Sequence, residues 1–293
     1  MTHFGHPLRH HFTVDVEEYF QVAALAPFVA RGTWEKIAPR LHVGMQRLLE
    51  LLDEHGARGT FFVLGWVAEH HPGIVREIAA RGHEVASHGW GHERVTTLTP
   101  DAFRSSVRDS KRALEDLTSA PVYGYRAPSF SILRGGEWAL DILAEEGYRY
   151  DSSLYPVRRA GYGYAGGGRD PYRIETAAGP LDELPPATLR FGPATLPAGG
   201  GAYLRLLPYA LIANSLASAA RRGVPATFYI HPWELDPEQP QLTVPMLTRI
   251  RHYGGLGRTV PRLRRLLVAF EFQPIARTLG LELSMSSAPV TRG

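Results

Sequence analysis

Two imidazoles four residues apart, in Ser87-His88-Gly89-Trp90-Gly91-His92, follow directly on a short strand-like run and sit among small residues. Residues at that spacing share one face of a helical turn, so both rings can converge on one ion at roughly the 2.0–2.1 Å of a zinc–nitrogen bond. In a chain with 13 histidines such a pair is a weak signal by itself, because exposed or core-satisfied imidazoles are common. A second feature adds weight: Phe12-Thr13-Val14-Asp15-Val16-Glu17-Glu18 reads as a short strand that ends in three carboxylates. The chain has no cysteine, so disulfides, thiolate catalysis and iron–sulfur clusters are excluded, and any metal takes nitrogen and oxygen ligands.

The elements that must position these groups alternate. Helical patterns over 42–55, 73–81, 101–117 and 137–146 are interleaved with strand-like runs over 59–64, 83–87, 122–126 and 148–152. That rhythm is the signature of repeated β-α units, an α/β chain with a mainly parallel sheet. Between Tyr155 and Gly201 glycine and proline recur, so a loop-rich insertion at about 155–208, with short antiparallel strands, is expected to shape a groove. Regularity resumes with a helix over 211–221, a strand over 226–230 and a basic amphipathic helix over 259–270. Residues 284–293 read as a disordered tail, leaving a single domain over 1–283.

With 293 residues, 44% hydrophobic and 21% charged, the chain can bury one sizeable core. Its net charge of +3 and pI near 9.2 are mildly basic. An acidic polymer or a membrane surface could use clusters such as Arg262, Arg264 and Arg265, but a solvated helix face is the preferred explanation, and no nucleic-acid partner is expected. No apolar run reaches the roughly 18 residues of a membrane span, and the first residues do not read as a signal peptide. A cytoplasmic location follows as an expectation, with peripheral membrane association open. His3, His6, His10 and His11 lack carboxylate company and read as surface residues.

Asp15, Glu17, Glu18, His88, His92, Arg126, Asp151 and His231 all follow closely on the C-terminal end of an expected strand. In a parallel barrel those ends meet in one mouth, where active sites lie. In these motifs the sequence resembles the carbohydrate-esterase, or NodB-type, polysaccharide deacetylases. Gly199-Gly200-Gly201-Ala202-Tyr203-Leu204-Arg205-Leu206-Leu207-Pro208 is similar to the branch found beside exopolysaccharide and exosortase gene systems. The resemblance spans roughly the whole chain and rests on five motifs in order between Thr13 and His231. It implies a distorted (β/α) barrel of about seven parallel strands.

Residue by residue, the resemblance makes Asp15 the general base and His88 and His92 the metal-binding histidines. Arg126, in Tyr125-Arg126-Ala127-Pro128-Ser129, becomes the arginine that pairs with the base, and His231 the general acid. Asp151, in Tyr150-Asp151-Ser152-Ser153, matches a groove residue that orients that histidine, and reads equally well as a helix N-cap. The family's common first motif has two adjacent aspartates, the second a metal ligand, whereas here Val16 follows Asp15. Side chains alternate along a strand, so Glu17 shares the face of Asp15 and is the expected third ligand, with Glu18 the alternative if the strand has already ended. Pro128, Trp90, Tyr155 and Trp233 are the substrate-binding candidates, since aromatic rings stack on sugars.

What the resemblance implies is a metal-dependent N-deacetylase of N-acetylated sugars in a polysaccharide or lipid-linked glycan, acting in exopolysaccharide biosynthesis. Its divalent ion would be zinc first, with nickel, cobalt or manganese as alternatives. Two other readings compete: a hydrolase of a small cyclic amide, working with or without metal, and an inactive glycan-binding protein. A 2-His-1-carboxylate set also suits non-haem iron oxygenases, but the β-α rhythm argues against one. The oligomeric state is not legible.

Overall fold

The computed structural model describes residues 8–159, 161–192 and 194–281. His3, His6 and the expected tail at 284–293 lie outside the described residues.

Strand β1 (His10–Val16) shows how the sequence builds the site. Phe12, Val14 and Val16 join the main hydrophobic core, while His11, Thr13 and Asp15 alternate with them on the other face. Every residue of the strand is buried. A parallel strand covered on both faces ordinarily reads as an unbroken apolar run. Here the inner face is polar because it lines the barrel interior, where the functional groups stack.

Helices α1 (Leu41–Glu54), α2 (Gly65–His70), α3 (Pro72–Ala80), α4 (Pro100–Thr118) and α5 (Trp138–Glu145) alternate with strands β2 (Thr60–Val63), β3 (Glu84–Ser87), β4 (Gly124–Tyr125) and β5 (Tyr150–Asp151). The insertion holds two hairpins, β6 (Tyr172–Thr176) with β7 (Gly179–Glu183) and β8 (Thr188–Phe191) with β9 (Ala194–Pro197). After them come α6 (Ala202–Leu206), α7 (Tyr209–Arg221), β10 (Thr227–Ile230), α8 (Met246–Tyr253), α9 (Thr259–Ala269), β11 (Phe272–Gln273) and α10 (Ile275–Thr278).

The sheet runs β10-β1-β2-β3-β4-β5-β7-β6, parallel throughout except for the β6–β7 pair, and β11 pairs with the start of β1. It curls into a half-barrel of seven parallel strands, β10 to β7 along that path. Past β7 the chain returns to the opposite edge, where Pro186 and Gly200 make isolated bridges to Thr227 and Tyr229 of β10. Val16, Val63, Ser87, Tyr125, Asp151 and Glu183 form one continuous rung across the sheet. Glu17, His88 and Arg126 therefore stand together one position above it.

α1 buries Leu41, Met45, Leu48, Leu49 and Leu52, a single face at helical spacing. Its Gly44 lies against the short turn that follows β10. A Cβ there would come 2.0 Å from the Pro232 carbonyl oxygen, so only glycine lets the helix and the turn meet. None of the described helices is long and apolar enough to cross a membrane.

One expectation is corrected. His10 and His11 are not surface residues but lie in β1, both essentially inaccessible. His11 fills the lower barrel interior, bonded to Thr227 Oγ1 at 3.1 Å and Thr278 Oγ1 at 3.0 Å. Burial pushes its pKa down to about 3 and that of His10 to about 4, so both are neutral at physiological pH. Isolated imidazoles suit a strand interior when such hydroxyl partners exist, which spacing along the chain does not reveal.

Candidate active site

A cleft of about 290 Å³ opens at the C-terminal ends of the strands, and Asp15, Glu17, His88, His92, His231 and Trp233 all line it. Glu17, His88 and His92 form a group whose ligand-type atoms lie within 4.8 Å of one another. The histidine pair is not on a helical turn as its spacing suggested. It spans an irregular loop in which Gly89 (φ 76°) and His92 (φ 61°) are both left-handed. That loop is fastened to α2 by hydrogen bonds from the Gly65 and Trp66 N–H groups to the Gly89 and Trp90 carbonyls.

His88 Nδ1–H donates to the Arg126 carbonyl at 2.7 Å, which fixes the ring and leaves Nε2 as the free nitrogen. Burial pushes the His88 pKa down to about 4, keeping the ring neutral, the form that ligates. Burial would raise the Glu17 carboxyl, but the His92, His231 and His88 imidazoles around it outweigh that and bring it to about 2. Glu17 Oε1 accepts from Trp233 Nε1 at 3.2 Å. Its Oε2 sits 2.7 Å from His92 Nε2 yet receives no hydrogen bond. A buried carboxylate oxygen without a donor is costly, and a shared cation relieves it. These residues therefore fit a divalent ion. Glu18 is turned away, its carboxylate accepting the N–H groups of Arg40 and Leu41 at the start of α1.

Arg126 is fully buried and makes a short pair with Asp15, Nη1 to Oδ1 at 2.7 Å. It is over-determined: it also donates to Thr13 Oγ1 and Ser152 Oγ, both at 2.8 Å, and lies 4.1 Å over the Phe62 ring. Asp15 Oδ2 is 3.8 Å from His231 Nε2.

His231 faces the histidine pair across the cleft. Its Nδ1–H donates to Glu234 Oε1 at 2.7 Å, and Glu234 Oε2 is held at 2.6 Å by Arg205, both partners wholly buried. Burial, the largest influence on His231, opposes its charge. The Glu234 hydrogen bond and the charges of Glu17, Glu234 and Asp15 together prevail and raise its pKa to about 9. Trp233 packs between the His231 and His252 rings at 5.2 and 4.3 Å.

Other expected residues are placed elsewhere. Asp151 lies on the last rung of the sheet with Tyr125, whose ring packs against Phe103 of α4; the period of two turns both side chains outward, while Arg126 and Ser152 point in. Its carboxylate accepts from Ser153 N–H and Oγ at 3.1 and 2.6 Å, no helix starts after it, and the orienting contact to His231 comes from Glu234 instead. Tyr155 is fully buried beneath Phe130, with ring centroids 5.1 Å apart. Trp90 packs on Gly65, outside the cleft, and Pro128 is buried at the start of a short turn whose next residues, Ser129 and Phe130, do reach the cleft. Ser129 (φ 56°) and Phe130 (φ 51°) are left-handed like His92, and strain of about 1–3 kcal/mol per residue is typical of such positions near functional sites.

Sequence reasoning missed Glu234 and Arg205. The spacing His231-x-x-Glu234 is a capping box at the turn after β10, and this signal was available in the chain. Arg205 lies in the Gly199–Pro208 segment, but nothing local says that it reaches across to Glu234.

Residues 33–150 match the polysaccharide deacetylase family, and residues 152–280 match a domain of unknown function, DUF3473. The first of these stretches, short of half the chain, is a polysaccharide deacetylase domain by similarity. The boundary between the two matches falls inside the one continuous sheet, at β5. Among relatives of this family, a chitooligosaccharide deacetylase from Rhizobium leguminosarum bv. trifolii is 33% identical over 111 residues, 38% of this chain and 47% of that protein. A peptidoglycan deacetylase from Helicobacter pylori is 32% identical over 114 residues, 38% of this chain and 37% of that protein. The chain thus spans less than half the length of these relatives. A crystal structure from Mycobacterium smegmatis, assigned as a polysaccharide deacetylase, has the same fold over 100% of this chain and 96% of its own, with a TM-score of 0.65 at 23% identity.

Proposed function

We propose that the protein is a divalent-metal-dependent N-deacetylase of N-acetylated sugars, acting on a polysaccharide or lipid-linked glycan in exopolysaccharide biosynthesis. The observation that carries this reading is the convergence of two unlike sets on one cleft: Glu17, His88 and His92 with Asp15 beside them, and His231 opposite. The named relatives are deacetylases of chitooligosaccharide and peptidoglycan, which supports an acetamido sugar as the substrate class.

In the proposed reaction water adds to the acetamide carbonyl carbon and the carbon–nitrogen bond breaks. Acetate and a free amine are released. A cation held by Glu17, His88 and His92, with zinc the first candidate, would polarise the carbonyl and acidify water at the site. Asp15 removes the proton from the attacking water, its carboxylate fixed by Arg126 through Nη1. His231, charged through its Glu234 partner, gives a proton to the departing nitrogen. Arg205 keeps Glu234 ionised, holding its carboxyl below the usual range against burial. Cytoplasmic placement, and the peripheral membrane association a lipid-linked substrate would require, belong to the same proposal and are checked by fractionating cells that express the tagged protein.

The deciding experiment is acetate release from N-acetylglucosamine oligomers and from the cognate polymer by the metal-loaded protein. Release that stops with a chelator and returns with zinc is expected. Full activity in both Asp15→Asn and His88→Ala would overturn the reading, and undiminished turnover in chelator would favour a metal-free amide hydrolase.

A further inference from the structure

The arginines around the cleft fall into two kinds. Arg126 and Arg205 are neutralised by Asp15 and Glu234. Arg94, Arg159 and Arg251 have no carboxylate within ion-pair distance among the described residues, although exposed arginines elsewhere do, such as Arg173 with Asp182 and Arg222 with Asp170.

All three unpaired arginines meet at one turn, Gly161–Tyr162, on the cleft wall contributed by the insertion. Arg94 Nη2 is close enough that a Cβ on Gly161 would come within 3.0 Å of it. Arg159 is bridged to Tyr162 through the backbone. The Arg251 guanidinium lies 5.8 Å from the Tyr162 ring centroid, and the Tyr162 hydroxyl is locked to that of Tyr203 at 2.6 Å. Arg94 and Arg251 themselves line the cleft. Arg94 Nε is buried with no hydrogen-bond partner. A partly buried guanidinium with one idle, buried donor is an arrangement that a planar anion relieves, because guanidinium matches carboxylate and phosphate oxygens with paired N–H groups.

We infer that this wall binds an anionic group, a carboxylate or phosphate carried by the glycan beside the acetamido sugar. The inference rests on the deacetylase reading for where the reacting sugar lies, but the binding itself needs no turnover. A uronic acid within a polymer and the diphosphate of a lipid-linked sugar are the two sources of that chemistry.

The test titrates the zinc-loaded protein at low salt with three probes of one length. These are a neutral N-acetylglucosamine tetramer, a tetrasaccharide alternating N-acetylglucosamine with glucuronate, and the neutral tetramer carrying a reducing-end diphosphate. At least one charged probe is expected to bind about 10-fold tighter than the neutral one, as two charge-assisted contacts would give. The gap is expected to collapse in Arg94→Gln/Arg251→Gln and to survive Arg112→Gln, an exposed charge control on α4. Which charged probe shows the gap identifies the source. Equal binding of all three probes, or a gap that Arg112→Gln narrows as much as the double variant, overturns the inference. Absence of acetate release from every probe would overturn the deacetylase reading alone.

Discussion

The two sides of the cleft hold the same residue type in opposite states. On the β3 side, His88 hands its Nδ1 proton to a backbone carbonyl, and burial pushes its pKa down to about 4. On the β10 side, His231 hands its Nδ1 proton to a carboxylate and its pKa is raised to about 9. Burial disfavours charge on both rings, so it does not separate them. The partner at Nδ1 does: a neutral acceptor leaves a lone pair for a cation, a charged acceptor stabilises an imidazolium. A neutral imidazole and a charged one are thereby kept apart within one small cleft.

The largest test of this contrast is on the neutral side. His88→Ala is expected to abolish stoichiometric zinc binding and to lower acetate release by about 10³-fold or more, since Lewis-acid assistance supplies several kcal/mol of barrier lowering. Metal content by mass spectrometry and acetate release are measured on the same preparation. Retained metal with lost activity would mean that His88 serves something other than the ion.

On the charged side His231→Gln is expected to cost about 10²-fold on N-acetyl substrates, within the range for loss of a general acid. It should cost far less on an activated O-acetyl ester, whose leaving group departs without a proton. An equal loss on both would place His231 in water activation or binding, and the division of labour between the two sides would fail.

Much of this arrangement is legible in the chain and some of it is not. The alternation in β1 is visible directly, and it correctly separates Glu17 from Val16 because the strand period is local. The helical face of α1, within a residue or so at its ends, is equally local. The loop geometry at His88 and His92 is not legible, because a four-residue spacing does not distinguish a helical turn from a loop with two left-handed residues. Arg205 and the three arginines gathered at the Gly161–Tyr162 turn depend on contacts between segments far apart in sequence, as between Arg94 and Gly161. Propensity and periodicity carry no information about those.

A smaller effect sharpens the contrast by converting one partner into the other kind. Glu234→Gln gives His231 a neutral acceptor, as His88 has. The His231 pKa, raised in the native protein, should then fall. Activity that needs a protonated His231 persists below that pKa and is lost above it, so the alkaline limb of the pH–rate profile should move to lower pH. An unmoved limb would detach Glu234 from the acid. Arg205 would be left buried without its countercharge, at an expected cost of about 3–5 kcal/mol. If that prevents folding, Glu234→Gln combined with Arg205→Met makes the same measurement.

The smallest expected effect concerns Asp151, which lies at the end of β5 outside the cleft lining and touches neither histidine. Its carboxyl and that of Glu183, its neighbour on the same rung, are both buried, and burial raises the pKa of each. Two carboxyls so placed favour sharing a proton, and an amide can replace the protonated member while still accepting from Ser153. Asp151→Asn should therefore change acetate release by less than about 3-fold, within about 1 kcal/mol of barrier. A raised carboxyl pKa contributes stability below the unfolded-state value and loses it as pH rises toward the folded value. The native protein should accordingly become less stable between mildly acidic and neutral pH, and Asp151→Asn should flatten that decline, as followed by thermal unfolding. A rate loss matching that of His231→Gln would instead give Asp151 a direct part in the chemistry, despite the outward turn of its side chain.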